Sequence, residues 1–167
     1  MDGGILHSSC RRDIPGISAD TLYYISVCTK ILVDIFKRDM AGKGKVLLMD
    51  DEQIILDVML EVLRFLEYDG MFARDGAAAL GLYKHEKEAG VPFDLVILDL
   101  SVPGGIGGKD TIALLKAYDP SVKAIVSSGY SNDPVVQDFH QYGFSGRLSK
   151  PYKISDLKEI LEEMIIK

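Results

Sequence analysis

Cysteine is nearly absent from this chain of 167 residues. Cys10 and Cys28 stand alone, without CxxC spacing, which argues against a disulfide framework or a zinc site and favours a reduced, cytoplasmic setting. A basic excess is also missing. The formal net charge of −6 argues against direct binding to a nucleic acid backbone, which requires a positive surface. No apolar run is long enough to cross a bilayer. The most apolar stretch near the start, Leu22 to Phe36, is interrupted by Lys30 and Asp34 and falls short of the ~20 residues a membrane helix needs. Charges before an apolar region and small residues after it, the mark of a secretory signal, are not seen. Neither internal repeats nor low-complexity tracts are visible.

What is present is a chain that is 47% hydrophobic, enough for a substantial core in one domain plus an appendage. The charge is unevenly spread. In residues 1–41 Arg11, Arg12, Lys30, Lys37 and Arg38 balance Asp2, Asp13, Asp20, Asp34 and Asp39, so the acidic excess lies wholly beyond them. Gly42-Lys43-Gly44 marks the boundary. Before it, Ser18 is placed to cap a helix over about 19–38. Leu22, Ile25, Thr29, Leu32 and Phe36 form one stripe of that helix, and Tyr24, Cys28, Ile31 and Ile35 an adjoining one. So wide an apolar face is expected to be covered by the following domain or by a second copy in a homodimer, with a poorly ordered segment as the lesser alternative.

After the boundary, strand and helix patterns alternate. Strands are expected at about 45–50, 70–74, 93–98, 122–127 and 145–149. Helices are expected at about 52–66, 77–89, 109–117 and 134–141, with a last one opened by Ser155. In the first helix Ile54, Val58, Val62 and Leu66 form one face, with Ile55, Met59 and Leu63 beside them. Asp133-Pro134 reads as an N-cap followed by proline at the first helical position. Five β-α units point to a doubly wound α/β sandwich with a five-stranded parallel sheet.

The chemistry sits where the apolar runs stop. Val46-Leu47-Leu48-Met49 runs into Asp50-Asp51, Leu95-Val96-Ile97-Leu98 into Asp99, and Ala124-Ile125-Val126 into Ser127-Ser128; Lys150-Pro151 follows a weaker run. In an open parallel sheet, ligands bind at the carboxyl ends of the strands. Adjacent carboxylates repel and are costly to desolvate without a compensating cation, and a hard divalent ion with oxygen ligands suits them. Read singly, Asp50-Asp51 is a helix cap, Asp99 a turn residue, and each serine a partner for nearby backbone. Together they describe a site for a divalent cation and a phosphoryl group. Asp99 can act as a nucleophile that forms an acyl phosphate. Ser128 can bond a phosphoryl oxygen, whereas Ser127, on the opposite face of its strand, is assigned to packing. Lys150 supplies a compact positive charge, and Pro151 forces it into an extended conformation and is compatible with a cis bond.

These residues at these spacings resemble the receiver domain of response regulators in two-component signalling, over residues 43–167. The strings Met49-Asp50-Asp51-Glu52, Asp99-Leu100-Ser101-Val102-Pro103-Gly104-Gly105 and Ser127-Ser128-Gly129-Tyr130-Ser131-Asn132-Asp133-Pro134 are similar in particular to receivers of hybrid histidine kinases. The resemblance implies a flavodoxin-like (β/α)5 fold and transfer of a phosphoryl group from a histidine kinase or phosphotransfer protein onto Asp99. It implies Mg²⁺ (or Mn²⁺) held by Asp50, Asp51, Asp99 and the backbone carbonyl of Ser101, with Asp50 acting through water. Ser128 and Lys150 would contact the phosphoryl oxygens, and the added charge would shift a pre-existing equilibrium. Arg147 departs from the pattern, since the family often has an aromatic residue three positions before the lysine. Ser101 and Tyr130 fall at positions that, in the family this chain resembles, often influence phosphoryl lifetime. No output domain follows Lys167, so a stand-alone relay or a piece of a larger sensor is expected.

Two other classes compete. A phosphatase of the haloacid dehalogenase type also forms an aspartyl phosphate on an α/β sheet, but its Asp-x-Asp comes early and its acidic pair last. Here the acidic pair comes first, and the residue two after Asp99 is Ser101 rather than a second carboxylate. A binding module that keeps the fold without phosphorylation would not need the intact set of five residues.

Overall fold

A computed structural model describes residues 42–166. The helix expected at 19–38, and the homodimer contact or intrachain docking considered for it, lie outside the described residues. Five parallel strands alternate with helices: β1 (Lys45–Met49), α1 (Gln53–Phe65), β2 (Asp69–Ala73), α2 (Gly76–Glu88), β3 (Leu95–Asp99), α3 (Gly108–Tyr118), β4 (Ala124–Ser128), α4 (Pro134–Gln137), β5 (Gly146–Ser149) and α5 (Ile154–Leu161). The sheet order is β2-β1-β3-β4-β5, and every pairing is parallel. The expected doubly wound, flavodoxin-like fold is present.

The sheet is covered on both faces, which is why its strands read as continuous apolar runs. β3 and β4 are buried along their whole length. Side chains alternate between two cores. Val46, Leu48, Leu95, Ile97 and Ile125 meet Leu56, Met59 and Leu63 of α1 and Leu157 and Leu161 of α5. Leu47, Met49, Val96, Leu98 and Val126 meet Ala79 and Tyr83 of α2 and Ile112 and Leu115 of α3. With β1 between β2 and β3, the chain leaves the sheet in opposite directions after β1 and β3. The crevice so formed is the usual ligand position of such sheets.

Local chemistry starts the helices. The Asp75 carboxylate accepts from Ala78 N at 2.8 Å and caps α2; Asp133 accepts from Val135 N at 2.8 Å and caps α4, with Pro134 at the first turn as expected. Three expectations need correction. The core face of α1 is Leu56, Met59 and Leu63, whereas Ile54 is 72% and Val58 57% exposed. Helix 134–141 is broken: α4 ends at Gln137, and Phe139–Tyr142 continue as a 3₁₀ turn closed by Gly143 at φ 90°. Ser155 does not open α5; the boundary residue is Lys153, and the Ser155 hydroxyl donates to Asp156 at 2.8 Å.

The corrected α1 face is open to test by denaturant unfolding. Leu56→Ala is expected to cost about 2–5 kcal/mol through lost burial and a residual cavity. Ile54→Ser, on the outward side, is expected to stay within about 0.5 kcal/mol of wild type.

Candidate functional site

The ends of β1, β3 and β4 bring the expected residues into one cleft of about 500 Å³, lined by Asp51, Asp99, Ser101, Ser128, Tyr130 and Lys150. Asp50 is fully buried, with its carboxylate beside those of Asp51 and Asp99. Its Oδ1 accepts from the backbone N–H of Glu52 at 3.0 Å, turning the chain from β1 into α1. Asp51 points outward from the same turn and is exposed. Asp99 ends β3, 7% exposed. The glycine-rich loop lets α3 start against it: a Cβ on Gly108 would lie 2.6 Å from the Asp99 carbonyl oxygen, and one on Gly107 2.6 Å from that of Leu100. Only residues without a side chain allow this approach.

Lys150 supplies the cation. Its Nζ lies 2.6 Å from Asp50 Oδ2 and 3.2 Å from Asp99 Oδ2. The Lys150–Pro151 peptide bond is cis, and the Lys150 N–H donates to the Ser128 carbonyl at 2.9 Å. Ser128 is buried, and its Oγ accepts from the Tyr130 N–H at 3.1 Å, so its hydroxyl proton can turn toward an arriving oxygen. Ser127 faces the other core, as expected, and its hydroxyl lies 2.7 Å from that of Tyr152. Sequence reasoning passed over Tyr152. The signal available was that a buried serine in a central strand needs a partner, and a tyrosine soon after the following strand can supply one.

Burial pushes the Asp99 carboxyl up, the Lys150 charge pulls it down, and the neighbouring charge of Asp50 raises it again; the net direction is upward. Burial works to lower Lys150, but its bond to Asp50 and the negative charge of Asp99 outweigh this and hold it above its ordinary value. Burial raises the Tyr152 phenol to about 12, so it is protonated at neutral pH.

The donor set fits a hard divalent cation. Asp50, Asp51 and Asp99 each offer an oxygen, all within 4.8 Å of one another. Asp50 Oδ2 is buried against the Lys150 ammonium at 2.6 Å. Three carboxylates facing one ammonium retain negative charge that a cation would neutralise.

The family model for the response regulator receiver domain matches residues 46–162. This chain belongs to that family. It is 35% identical over 125 residues to the uncharacterized transcriptional regulatory protein YesN of Bacillus subtilis, covering 72% of this chain and 33% of that protein. It is 25% identical over 121 residues to sporulation initiation phosphotransferase F of the same organism, covering 72% of this chain and 93% of the relative. The chain therefore spans a third of one relative and nearly all of the other. A solved structure, the receiver domain of sensor histidine kinase PA1611 from Pseudomonas aeruginosa with a magnesium ion in its active-site cleft, superposes with a TM-score of 0.66 at 23% identity. That match covers 76% of this chain and 100% of the solved one. The chain contains a receiver domain of two-component signalling, which is a phosphoacceptor module.

Because its carboxyl is raised, Asp99 makes the folded state bind more protons than the unfolded chain. Its contribution to stability is complete at pH below the unfolded aspartate value and is lost as pH rises through the raised folded value. At neutral pH the ionised Asp99 is therefore a destabilising group. Asp99→Asn is expected to raise the melting temperature at neutral pH, and the gain should shrink as the pH is lowered toward the ordinary aspartate range. Differential scanning calorimetry at two pH values measures both.

Proposed function

We propose that residues 43–167 act as a receiver that takes a phosphoryl group from a phosphohistidine onto Asp99 in a cytoplasmic phosphorelay. The observation that supports this most strongly is the convergence of Asp50, Asp51, Asp99, Ser128 and Lys150 at one end of the sheet, with a cation-sized acidic cluster between β1 and β3. An Asp99 Oδ attacks the phosphorus in line, the P–N bond to the donor imidazole breaks as the P–O bond forms, and the imidazole leaves with a proton from solvent. Asp50, Asp51, Asp99 and the Ser101 carbonyl would hold Mg²⁺. When bound, it neutralises charge on the phosphoryl oxygens. Lys150 exchanges its contact with Asp99 for one with a phosphoryl oxygen, and the Ser128 hydroxyl donates to another. Ser101 and Tyr130 flank the route by which water reaches the acyl phosphate, because both line the cleft and are exposed.

The donor is a protein, and the surface beside the cleft suits one. A groove of about 700 Å³ between α1 and α5 is lined by Ile54, Ile55, Val58, Val62, Tyr152 and Ile154, and it shares Glu52 and Lys150 with the edge of the phosphoryl cleft. Ile54, Val58 and Ile154 are exposed, an apolar patch fitted to the outer face of a helical phosphodonor.

Labelling by Mg²⁺ and phosphoramidate should reach about one phosphoryl group per chain in wild type and none in Asp99→Asn. Equal labelling of the two, or sustained turnover of a phosphate ester at several per second, would contradict the receiver reading. For the groove, Ile54→Ser with Val58→Ser is expected to slow transfer from a phosphohistidine protein roughly tenfold while labelling by phosphoramidate stays at the wild-type rate. A loss with both donors would place the defect in the site and not in docking.

A further inference from the structure

The hydroxyl pair between Ser127 and Tyr152 stands next to the phosphoryl machinery without being part of it. β4 and β5 run in parallel register, with Ser127 opposite Leu148 and Ser128 opposite Ser149. The ladder ends with the Lys150 N–H on the Ser128 carbonyl at 2.9 Å. It cannot continue, because Pro151 has no N–H to donate. One residue later the chain is fastened to β4 again, this time by side chains, through the 2.7 Å contact between the Ser127 and Tyr152 hydroxyls. Both partners are shielded: Ser127 is fully buried, and the Tyr152 ring packs on the core formed by β1, β3, β4, α1 and α5.

Lys150 therefore hangs between two ties to adjacent residues of one strand. Its ammonium sits on a flexible four-carbon stem, so where that charge lies depends on how firmly the root of the stem is held. The root matters here because the ammonium must meet Asp50 and Asp99 at 2.6 and 3.2 Å. A phenylalanine in place of Tyr152 would keep the ring in its groove and lose the second tie alone.

We propose that Tyr152, acting through the Ser127 hydroxyl, is a positioning residue for Lys150: it fastens the segment beyond Pro151 to β4 and so places the ammonium for the phosphoryl group. The proposal rests on Asp99 being the phosphoacceptor. Tyr152 does not line the phosphoryl cleft, and its effect reaches the reaction only through Lys150. The plain alternative is that Tyr152 merely satisfies the hydroxyl of a buried serine. That role would affect stability and leave the chemistry of Lys150 alone.

The two roles separate in a cycle on the full chain. The maximal rate of phosphoramidate labelling, the Mg²⁺ dissociation constant by calorimetry and the melting temperature are measured for Tyr152→Phe, Ser127→Ala, Ser127→Thr and the Tyr152→Phe/Ser127→Ala pair. Tyr152→Phe and Ser127→Ala are each expected to slow the maximal rate roughly three- to tenfold, the factor carried by one neutral hydrogen bond. The pair should be no slower than either, as expected of two groups in one interaction. Mg²⁺ affinity should stay within about twofold, and Ser127→Thr, which keeps a hydroxyl, should restore most of the rate. In a Lys150→Gln background, Tyr152→Phe should make no further difference. A wild-type rate in Tyr152→Phe overturns the proposal, as does the same slowing with and without Lys150, or slowing that merely follows the melting temperature. A wild-type chain that takes no label removes the phosphoacceptor reading and this proposal with it.

Discussion

The ion pairs from Lys150 to Asp50 and Asp99 are the constraint around which the rest of this domain is arranged. One ammonium joins the ends of β1 and β3, the two strands between which the chain changes direction across the sheet. It reaches them from beyond β5, two strands away from β3, so the site exists only when the whole sheet is in register. Desolvating two carboxylates at that point is unfavourable, and a single lysine offsets the cost in part. The raised carboxyl of Asp99 expresses that shortfall. A divalent cation and a phosphoryl group, one positive and one negative, can enter such a site together with little net change in its charge. The fold stores the imbalance in rigid, fully buried strands, so the site is set before either arrives.

Much of this was legible in the sequence, for a physical reason. Strands buried on both faces have no polar alternation, and their ends are marked by the first side chain that needs water, a cation or a partner. Asp50, Asp99 and Ser128 are such residues, so the same pattern that located the strands located the site. Helix faces were less legible. In α1 the apolar residues outnumber those the core can use, and spacings of three and four fit two overlapping stripes equally well. Ile54 and Val58, at the start of one stripe, look outward, while Leu56, outside either stripe, is fully buried. The surplus lines the groove between α1 and α5, which adjoins the phosphoryl cleft. The partner of Ser127 was hidden because it lies 25 residues along the chain.

The departure at Arg147 has a structural counterpart. The side chain is exposed and lies over α4 and the turn after it, its guanidinium 6.0 Å from the Phe139 ring centre and Nη1 3.5 Å from the Val136 carbonyl. A charged group held there does not turn into an apolar interior when Ser128 moves toward a phosphoryl group. Two other contacts lie beside the phosphoryl cleft: the Ser128 hydroxyl, which accepts from the Tyr130 N–H, and the segment of Lys150 and Tyr152 that borders the groove.

The central claim is that Asp99 carries the phosphoryl group, and the chemistry of an acyl phosphate allows it to be read directly. After treatment of the wild-type chain with phosphoramidate and Mg²⁺, borohydride reduces an aspartyl phosphate to homoserine, which peptide mass spectrometry locates to a single position. Homoserine is expected at Asp99, and only in samples that contained Mg²⁺. Homoserine at Asp50 or Asp51, or an unchanged Asp99 in a chain that binds Mg²⁺, would contradict it.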